Sequence, residues 1–205
     1  MLEPRLDPDE IEYLKDFMSK KPAGTKLVEW GSGGSTAMFL PYFETGQFIS
    51  IEHNEEWFSK VAEEISIGGF SPEPVYSPSA VANFTYVLVR PKIDIRFYGY
   101  GVPHEENPCF AMDYIDPKID GVNIWDADIY FVDGICRGPI LSMIRHKRGM
   151  ESCYDVLDAR WIEKPPTIFI HDYFGSEQRE PWYEWAARMY GSVEKVGSTL
   201  ARIHW

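Results

Sequence analysis

Short apolar runs alternate with amphipathic segments along the chain. Apolar stretches at 26–30 and 48–52 are each followed by hydrophobic residues at helical spacing, first at 35–43 and then after Asn54, which is a suitable helix N-cap. Strands that alternate with helices are typical of a parallel sheet with helices on both faces. The pattern therefore predicts an α/β domain with a mostly parallel sheet.

The later part of the chain continues this alternation and ends differently. Further strands are predicted at 84–89, 93–97, 128–132 and 167–170, and further helices at 110–119, 139–147 and 178–190. Residues 98–108 are rich in Gly and Pro, which predicts a loop over the carboxyl edge of the sheet, whereas 149–166 has no clear pattern. Gly197 and Ser198 between apolar runs predict a hairpin with a two-residue connection, so the sheet ends on an antiparallel strand.

The N-terminal segment carries a helix start signal. Asp7 is the predicted N-cap, Pro8 stands in the first turn, and Glu10 completes a capping box. We expect this helix to pack across the sheet edge or a ligand site. Because no repeat or linker divides the chain, we expect a single domain over 1–205, with the N-terminal helix in 1–24 and the core in 25–205.

Composition and charge narrow the classes of partner. The 205 residues are 44% hydrophobic and 15% aromatic, enough for a sizeable core, and the formal net charge is −12. This charge repels phosphate backbones and anionic membrane surfaces, so neither nucleic acid nor a membrane is the expected partner. No apolar run approaches the roughly 20 residues that cross a bilayer. Three widely spaced cysteines and a charged N-terminus without a signal-peptide core predict a cytoplasmic location.

Two strand ends carry the strongest candidate for a binding site. The sequence EWGSGGST at 29–36 places glycines after one predicted strand, and Glu52 ends the next. Glycines let the backbone approach a ligand, and the following helix start offers free N–H groups. An acidic residue about 20 positions later suits ribose hydroxyls. Together these features predict an adenosine-binding site.

The glycine spacing bears on which adenosine ligand is bound. A dinucleotide fingerprint would require glycine at position 36, where the chain has Thr36, and Glu29 would lie close to a pyrophosphate. An acidic side chain before the glycines suits a cationic ligand instead, because it can orient the loop and help hold an ammonium group. S-adenosylmethionine carries both an ammonium and a sulfonium.

Four motifs in order resemble those of class I S-adenosylmethionine-dependent methyltransferases. They are EWGSGGST at 29–36, IEHNEEW at 51–57, VDGICR at 132–137 and IHDY at 170–173, and the resemblance covers about 25–205. It implies a Rossmann-like fold with a mostly parallel seven-stranded sheet and an antiparallel terminal hairpin. The chain has Ile135 where this branch often has a second arginine, so its substrate can differ.

The resemblance also implies which residues contact the cofactor. Glu29, Gly31 and Gly33 would frame the methionine group, Glu52 would hold the ribose, and His53 would lie near the adenine. The full implied set is Glu29, Gly31, Ser32, Gly33, Ser35, Thr36, Glu52, His53, Asp113 and Tyr114.

Catalytic candidates stand at the ends of the later strands. Asp133, His171 and Asp172 are expected to face the cofactor crevice, with His171 or Asp133 as general base. Arg137 would orient the substrate or pair with Asp133. Asp133 and Asp172 also occupy positions that hold Mg²⁺ in some sugar and catechol O-methyltransferases, although two carboxylates are an incomplete site. A purely structural alternative is that Asp172 caps a turn and His171 bonds to the backbone.

The expected function is methyl transfer from S-adenosylmethionine to oxygen, on a small molecule or a carbohydrate hydroxyl. Two alternatives from other classes are a non-catalytic domain that binds an adenosine cofactor and an NAD-linked oxidoreductase, which Thr36 disfavours. Aminopropyl transfer on the same fold would need an acidic polyamine site that the sequence does not reveal.

Overall fold

One mixed sheet organises the described part of the chain. The computed structural model describes residues 2–67, 83–90, 112–148, 165–174, 187–188 and 191–204. The helices are α1 (Pro8–Ser19), α2 (Gly34–Phe39), α3 (Glu55–Ile67), α4 (Met112–Ile115) and α5 (Arg137–Lys147), with a 3₁₀ turn at Leu40–Tyr42. The strands are β1 (Lys26–Trp30), β2 (Gln47–Glu52), β3 (Phe84–Leu88), β4 (Ile129–Val132), β5 (Thr167–Ile170), β6 (Ser192–Val196) and β7 (Leu200–His204).

The seven strands of this sheet follow the order β3-β2-β1-β4-β5-β7-β6. Strands β1 to β5 pair in parallel, whereas β7 runs antiparallel to both β5 and β6. This topology confirms the Rossmann-like methyltransferase fold with its antiparallel terminal hairpin. The order reverses between β2-β1 and β4, and ligands of such sheets bind at that point, beyond the carboxyl ends of the strands.

Both faces of the sheet are buried, and alternate residues of each strand face opposite sides. Val28, Trp30 and Val132 belong to the core under α4 and α5. Leu27 and Phe131 belong to the opposite core, under α1, α2 and α3. Strands covered on both faces become nearly continuous apolar runs, which is why the sequence pattern located them.

Helix α1 lies on a face of the sheet. Leu14 and Met18 are buried in the core beneath it, and Phe17 meets Phe169 of β5 edge to face at 5.0 Å. The predicted capping box is present, since the Asp7 amide donates to Glu10 Oε2 at 3.0 Å. The helix packs over β5 and over the hairpin that contains the edge strand β6, as expected for a position at the sheet edge, and not over the ligand site.

Several predicted helices have different ends in the structure. The helix predicted at 35–43 ends at Phe39, because Pro41 has no N–H to continue it, and a 3₁₀ turn follows. In the helix predicted at 110–119, the described part ends at Ile115, two residues before Pro117. Helix α5 begins at Arg137 rather than 139, directly after Cys136 with its φ of +58°.

The hairpin connection is longer than predicted. Val196 pairs with Leu200, so three residues rather than two join β6 and β7. The physical reason is that the Thr199 amide donates to Glu10 of α1 at 2.6 Å instead of pairing across the hairpin.

Some predictions concern segments outside the described residues. These are the strand at 93–97, the loop at 98–108, and nearly all of 149–166 and of the helix at 178–190. Among the helices that are described, none combines the length and the apolarity needed to cross a bilayer.

Candidate active site

Strand register brings the candidate residues to one place. Trp30 of β1 pairs with Ile51 of β2 on one side and Val132 of β4 on the other, and Val132 pairs with Ile170 of β5. The residues that follow these pairs therefore emerge side by side at the carboxyl edge of the sheet. They are Gly31, Glu52, Asp133 and His171.

A cavity of about 450 Å³ opens at this edge. It is lined by the glycine loop, the ends of β2, β4 and β5, the start of α3, and residues that precede α1. Its charged side chains comprise four carboxylates and two guanidinium groups. In order along the chain these are Glu3, Arg5, Glu52, Asp133, Arg137 and Asp172.

Two glycines allow the loops after β1 and β4 to touch. Gly31 has a φ of +86°, and a Cβ there would lie 2.5 Å from the Gly134 amide nitrogen. A Cβ on Gly134 would lie 2.0 Å from the Tyr114 hydroxyl. Contacts within the protein therefore account for both glycines, and their role is to let the two loops and Tyr114 pack closely.

The other two glycines of the loop face different neighbours. A Cβ on Gly34 would lie 2.2 to 2.4 Å from backbone atoms of Glu3 and Pro4, in the segment before α1. A Cβ on Gly33 would meet only the Trp57 ring, at an ordinary 3.8 Å. Since Gly33 lines the cavity and no protein atom crowds it, Gly33 is the position where a bare backbone serves a ligand.

Glu29 lies beneath the glycine loop and is fully buried. Its carboxylate accepts hydrogen bonds from the hydroxyls of Ser35 (2.7 Å), Thr36 (2.7 Å) and Ser50 (2.6 Å). Burial, together with the charge of Asp133, raises the pKa of Glu29 to about 7 against these hydrogen bonds. Glu29 thus anchors the loop, and the structure does not bring its side chain to the cavity. The Ser35 and Thr36 hydroxyls likewise donate to Glu29.

Glu52 ends β2 at the cavity and is only 2% exposed. One of its oxygens accepts from the Ser32 amide and hydroxyl, both at 2.9 Å, and the other accepts from the His53 and Asn54 amides, both at 2.8 Å. Burial would raise the pKa of Glu52, but hydrogen bonds from His53 and Asn54 outweigh it and hold the pKa below its ordinary value. Glu52 is therefore a carboxylate at the cavity wall that stays ionised at neutral pH.

A cluster of four side chains forms the opposite end of the cavity. His171 Nδ1 lies 2.6 Å from Asp133 Oδ1, and its Nε2 lies 3.6 Å from Asp172 Oδ1. Arg137 Nη2 donates to the Asp133 carbonyl (2.9 Å) and lies 3.3 Å from Asp133 Oδ1 and 3.2 Å from Asp172 Oδ2. The structure thus brings together all four predicted catalytic residues.

The histidine of this cluster is electrostatically perturbed. Burial lowers the pKa of His171, but the hydrogen bond that its Nδ1–H donates to Asp133 and the charges of Asp133 and Asp172 outweigh burial and raise the pKa above its ordinary value. The pair with Asp133 fixes Nδ1 as the donor when the ring is neutral. Nε2 is then the basic atom.

The same cluster does not fit Mg²⁺. Asp133, His171 and Asp172 place one ligand atom each within 4.8 Å of one another. However, Arg137 already bridges the two carboxylates, and Mg²⁺ prefers a set of oxygen ligands and water to an imidazole. The Arg137 guanidinium supplies the positive charge between Asp133 and Asp172 that a metal ion would otherwise supply.

Buried polar atoms without partners surround the cavity. The Tyr114 hydroxyl and Arg137 Nε have no hydrogen-bond partner among the described residues. His53 stacks edge to face on Tyr114 at 5.2 Å, so Tyr114 lies below the cavity wall, whereas Asp113 lines a separate cavity beside β3. The unpartnered Arg137 Nε and the bare backbone of Gly33, both at the cavity, fit a bound polar ligand.

The structure adds residues that the site predictions omitted. Trp57 lines the cavity, and its Nε1 donates to the Ser32 carbonyl at 2.5 Å. Asn54 also lines the cavity and caps α3 through its side chain, 2.9 Å from the Trp57 amide. Both stand in the IEHNEEW motif, which could have indicated them. Glu3, Arg5 and Leu6 lie far from every motif, and no local signal indicates their place in the cavity.

Solved structures share this fold. No protein-family model and no curated protein sequence matches the chain. A methyltransferase-like protein from Silicibacter pomeroyi is 20% identical with a TM-score of 0.60, over 98% of this chain and 87% of that one. A candidate caffeoyl-CoA O-methyltransferase from Staphylococcus aureus is 11% identical with a TM-score of 0.53, over 99% and 86%. A candidate rRNA methylase from Clostridium thermocellum is 8% identical with a TM-score of 0.52, over 97% and 95%. At these identities the likeness shows the fold.

Proposed function

We propose that this protein is an S-adenosylmethionine-dependent methyltransferase that acts on a hydroxyl group of a small molecule or a carbohydrate. The observation that carries the proposal is a single cavity with the glycine loop and Glu52 at one end and the Asp133–His171 pair at the other. An adenosine-binding half and a proton-accepting half are what transfer to oxygen requires. The shared fold of methyltransferase structures supports the same reading.

Residues of this chain fit the expected cofactor. Four carboxylates against two guanidinium groups give the cavity an acidic balance, which suits a ligand whose net charge is positive. Glu52 would hold the ribose. Four donors already occupy its carboxylate, so the Ser32 hydroxyl must turn away to free an acceptor site for the ribose hydroxyls. Gly33 would let the ligand approach the loop. When bound, the cofactor supplies a methyl group activated by its sulfonium.

His171 is the proposed general base. When the methyl group passes from the sulfonium to the acceptor oxygen and a neutral thioether leaves, His171 Nε2 would take the proton of that hydroxyl. Asp133 orients the ring through the 2.6 Å contact to Nδ1 and stabilises the imidazolium that forms. Arg137 holds Asp133 and Asp172 in place, so the mechanism needs no metal ion.

Calorimetric titration tests the cofactor. We expect S-adenosylhomocysteine to bind and NAD not to bind, since Thr36 occupies the third glycine position of the dinucleotide fingerprint and its hydroxyl donates to Glu29. Binding of NAD alone would show that the protein belongs to another class. A screen of sugars and phenols with radiolabelled S-adenosylmethionine then tests transfer. Cofactor binding without transfer to any hydroxyl compound would favour a non-catalytic binding domain.

A further inference from the structure

The segment before α1 forms part of the cavity wall. Residues 2–6, which we call the N-terminal strap, alternate between half-buried and exposed side chains. Leu2 and Leu6 pack against the core under α1, α2 and α3. Glu3 and Arg5 stand between them, and both line the cavity together with Leu6. Two leucines therefore anchor the strap and leave its two charges at the ligand site.

The glycine loop holds the strap in place. Backbone atoms of Glu3 and Pro4 occupy the space that any side chain at position 34 would fill. The strap thus lies directly on the first turn of α2. Because this contact is between backbones, the strap is fixed relative to the loop that is expected to face the cofactor.

The two charges of the strap have no partner of opposite charge in the described part of the chain. The Arg5 guanidinium carbon lies 5.6 Å from the centre of the Trp57 ring, and neither Arg5 nor Glu3 forms an ion pair there. The other charges of the cavity are engaged with one another or with backbone amides, as described for Arg137 and Glu52. A ligand that carries both charges is the natural partner of an unpaired cation and an unpaired anion.

We propose that the N-terminal strap binds the α-amino-acid group of the cofactor, with Arg5 binding its carboxylate and Glu3 its ammonium. This inference rests on the proposed function, which supplies a ligand with that group. A guanidinium presents paired N–H donors to a carboxylate, and the Trp57 face restricts its orientation. Glu29 is buried, and its carboxylate already accepts hydrogen bonds from three hydroxyls. The ammonium group therefore needs another carboxylate at the cavity.

The test compares two ligands that differ in this group. S-adenosylhomocysteine carries the α-amino-acid group, whereas methylthioadenosine keeps the adenosine and the sulfur but lacks that group. Calorimetry with both ligands is applied to wild type, Arg5→Met and Glu3→Gln. Lys15→Met and Glu12→Gln are the matched controls, since each removes one charge of the same sign from an exposed position of α1.

We expect Arg5→Met to weaken S-adenosylhomocysteine roughly tenfold and Glu3→Gln roughly fivefold, as for charge-assisted hydrogen bonds. Both variants are expected to bind methylthioadenosine within about twofold of wild type, and both controls to leave both affinities unchanged. Unchanged affinity for S-adenosylhomocysteine in both strap variants would overturn the inference. Equal weakening of both ligands would also overturn it. If wild type binds neither ligand, the proposed function itself fails.

Discussion

Glu29 is a fully buried carboxylate whose described hydrogen-bond donors are the hydroxyls of Ser35, Thr36 and Ser50. Ser35 and Thr36 belong to the first turn of α2, Ser50 belongs to the neighbouring strand β2, and Glu29 itself belongs to β1. The side chain therefore ties three parts of the site together from below. Its burial makes the charge costly, so the protonation state of one residue is coupled to the stability of the loop.

We expect the stability of wild type to fall relative to Glu29→Gln as the pH rises. Folding raises the pKa of Glu29 from 4.5 to about 7, so the folded state binds the Glu29 proton more tightly than the unfolded state does. This proton binding stabilises the fold fully below pH 4.5, and the stabilisation is lost as the pH rises to about 7. The expected change in the difference of unfolding free energy between pH 5 and 8 is about 2 kcal/mol. Urea unfolding at several pH values measures it, with Glu12→Gln as the control that follows wild type. A difference that stays constant over this range would contradict the prediction.

His171 and Asp133 make a second prediction at this scale. Because Asp133 outweighs burial, we expect His171 in wild type to titrate above the ordinary histidine value of 6.5 and Asp133→Asn to lower its pKa. Proton–nitrogen NMR spectra of the ring measure both values, and His171→Ala identifies the signal. No difference between wild type and Asp133→Asn would refute the electrostatic pairing.

The rate of transfer follows from the same pair. A general base must be unprotonated, so the rate is expected to rise with pH through the raised pKa of His171. His171→Ala is expected to lower the rate about 10²- to 10⁴-fold, the range of general base catalysis. The rise of the rate with pH is expected to disappear in the same variant. The measurement is the pH profile of transfer to a hydroxyl acceptor found in the screen. A loss of less than about tenfold would remove His171 from the role.

Among the elements, α1 and the terminal hairpin are joined by one buried side chain. Glu10 Oε1 accepts from the amides of Thr199 (2.6 Å) and Leu200 (2.8 Å), while Oε2 accepts from the Asp7 amide. Burial would raise the pKa of Glu10, but hydrogen bonds from Thr199, Asp7 and Leu200 outweigh it and lower the pKa. The capping box is local and was predictable, whereas the hairpin connection depends on a residue near the other end of the chain.

We expect Glu10→Gln to destabilise the fold by about 1 to 3 kcal/mol at neutral pH, because charge-assisted hydrogen bonds from the amides of Thr199 and Leu200 are weakened. A lowered folded-state pKa means that the carboxylate stabilises the fold above 4.5 and that this contribution is lost as the pH falls through the folded-state value. The difference in the free energy of unfolding between wild type and Glu10→Gln should therefore become smaller at acidic pH. Urea unfolding at neutral and acidic pH measures it, and identical midpoints at neutral pH would contradict the role of Glu10.

At the scale of the whole molecule, the net charge says more than the fold about which class of methyl acceptor the protein can bind. The shared fold includes a candidate rRNA methylase and a candidate enzyme for a small molecule, so it does not select a substrate. The net charge of −12 disfavours a polyanionic acceptor, because a negatively charged protein repels a polyanion on average. A neutral hydroxyl compound avoids this repulsion.

We accordingly expect no measurable binding of RNA at physiological salt. Fluorescence anisotropy with labelled single-stranded and duplex RNA is expected to show no change up to about 100 µM protein, the weak end of non-specific binding. A basic RNA-binding domain provides the positive control. Saturable binding with a dissociation constant in the low micromolar range would contradict the prediction and favour an RNA acceptor.

The amino-acid pattern by itself determined the order of the described strands and helices along the chain and the sheet edge at which the candidate site residues stand. Apolar runs and helical periodicity are local properties, and the carboxyl ends of parallel strands meet at one edge. For that reason Glu52, Asp133 and His171 could be placed together before any contact was known.

Only the tertiary structure decided what each residue touches there. Gly31 and Gly34 serve contacts between chain segments, Arg137 lies between two carboxylates, and Arg5 reaches the cavity from outside every motif. These arrangements join residues distant in sequence and depend on strand register and close packing. A local pattern of hydrophobic and polar positions carries no record of them, because it reports the face on which a side chain lies and not its partner.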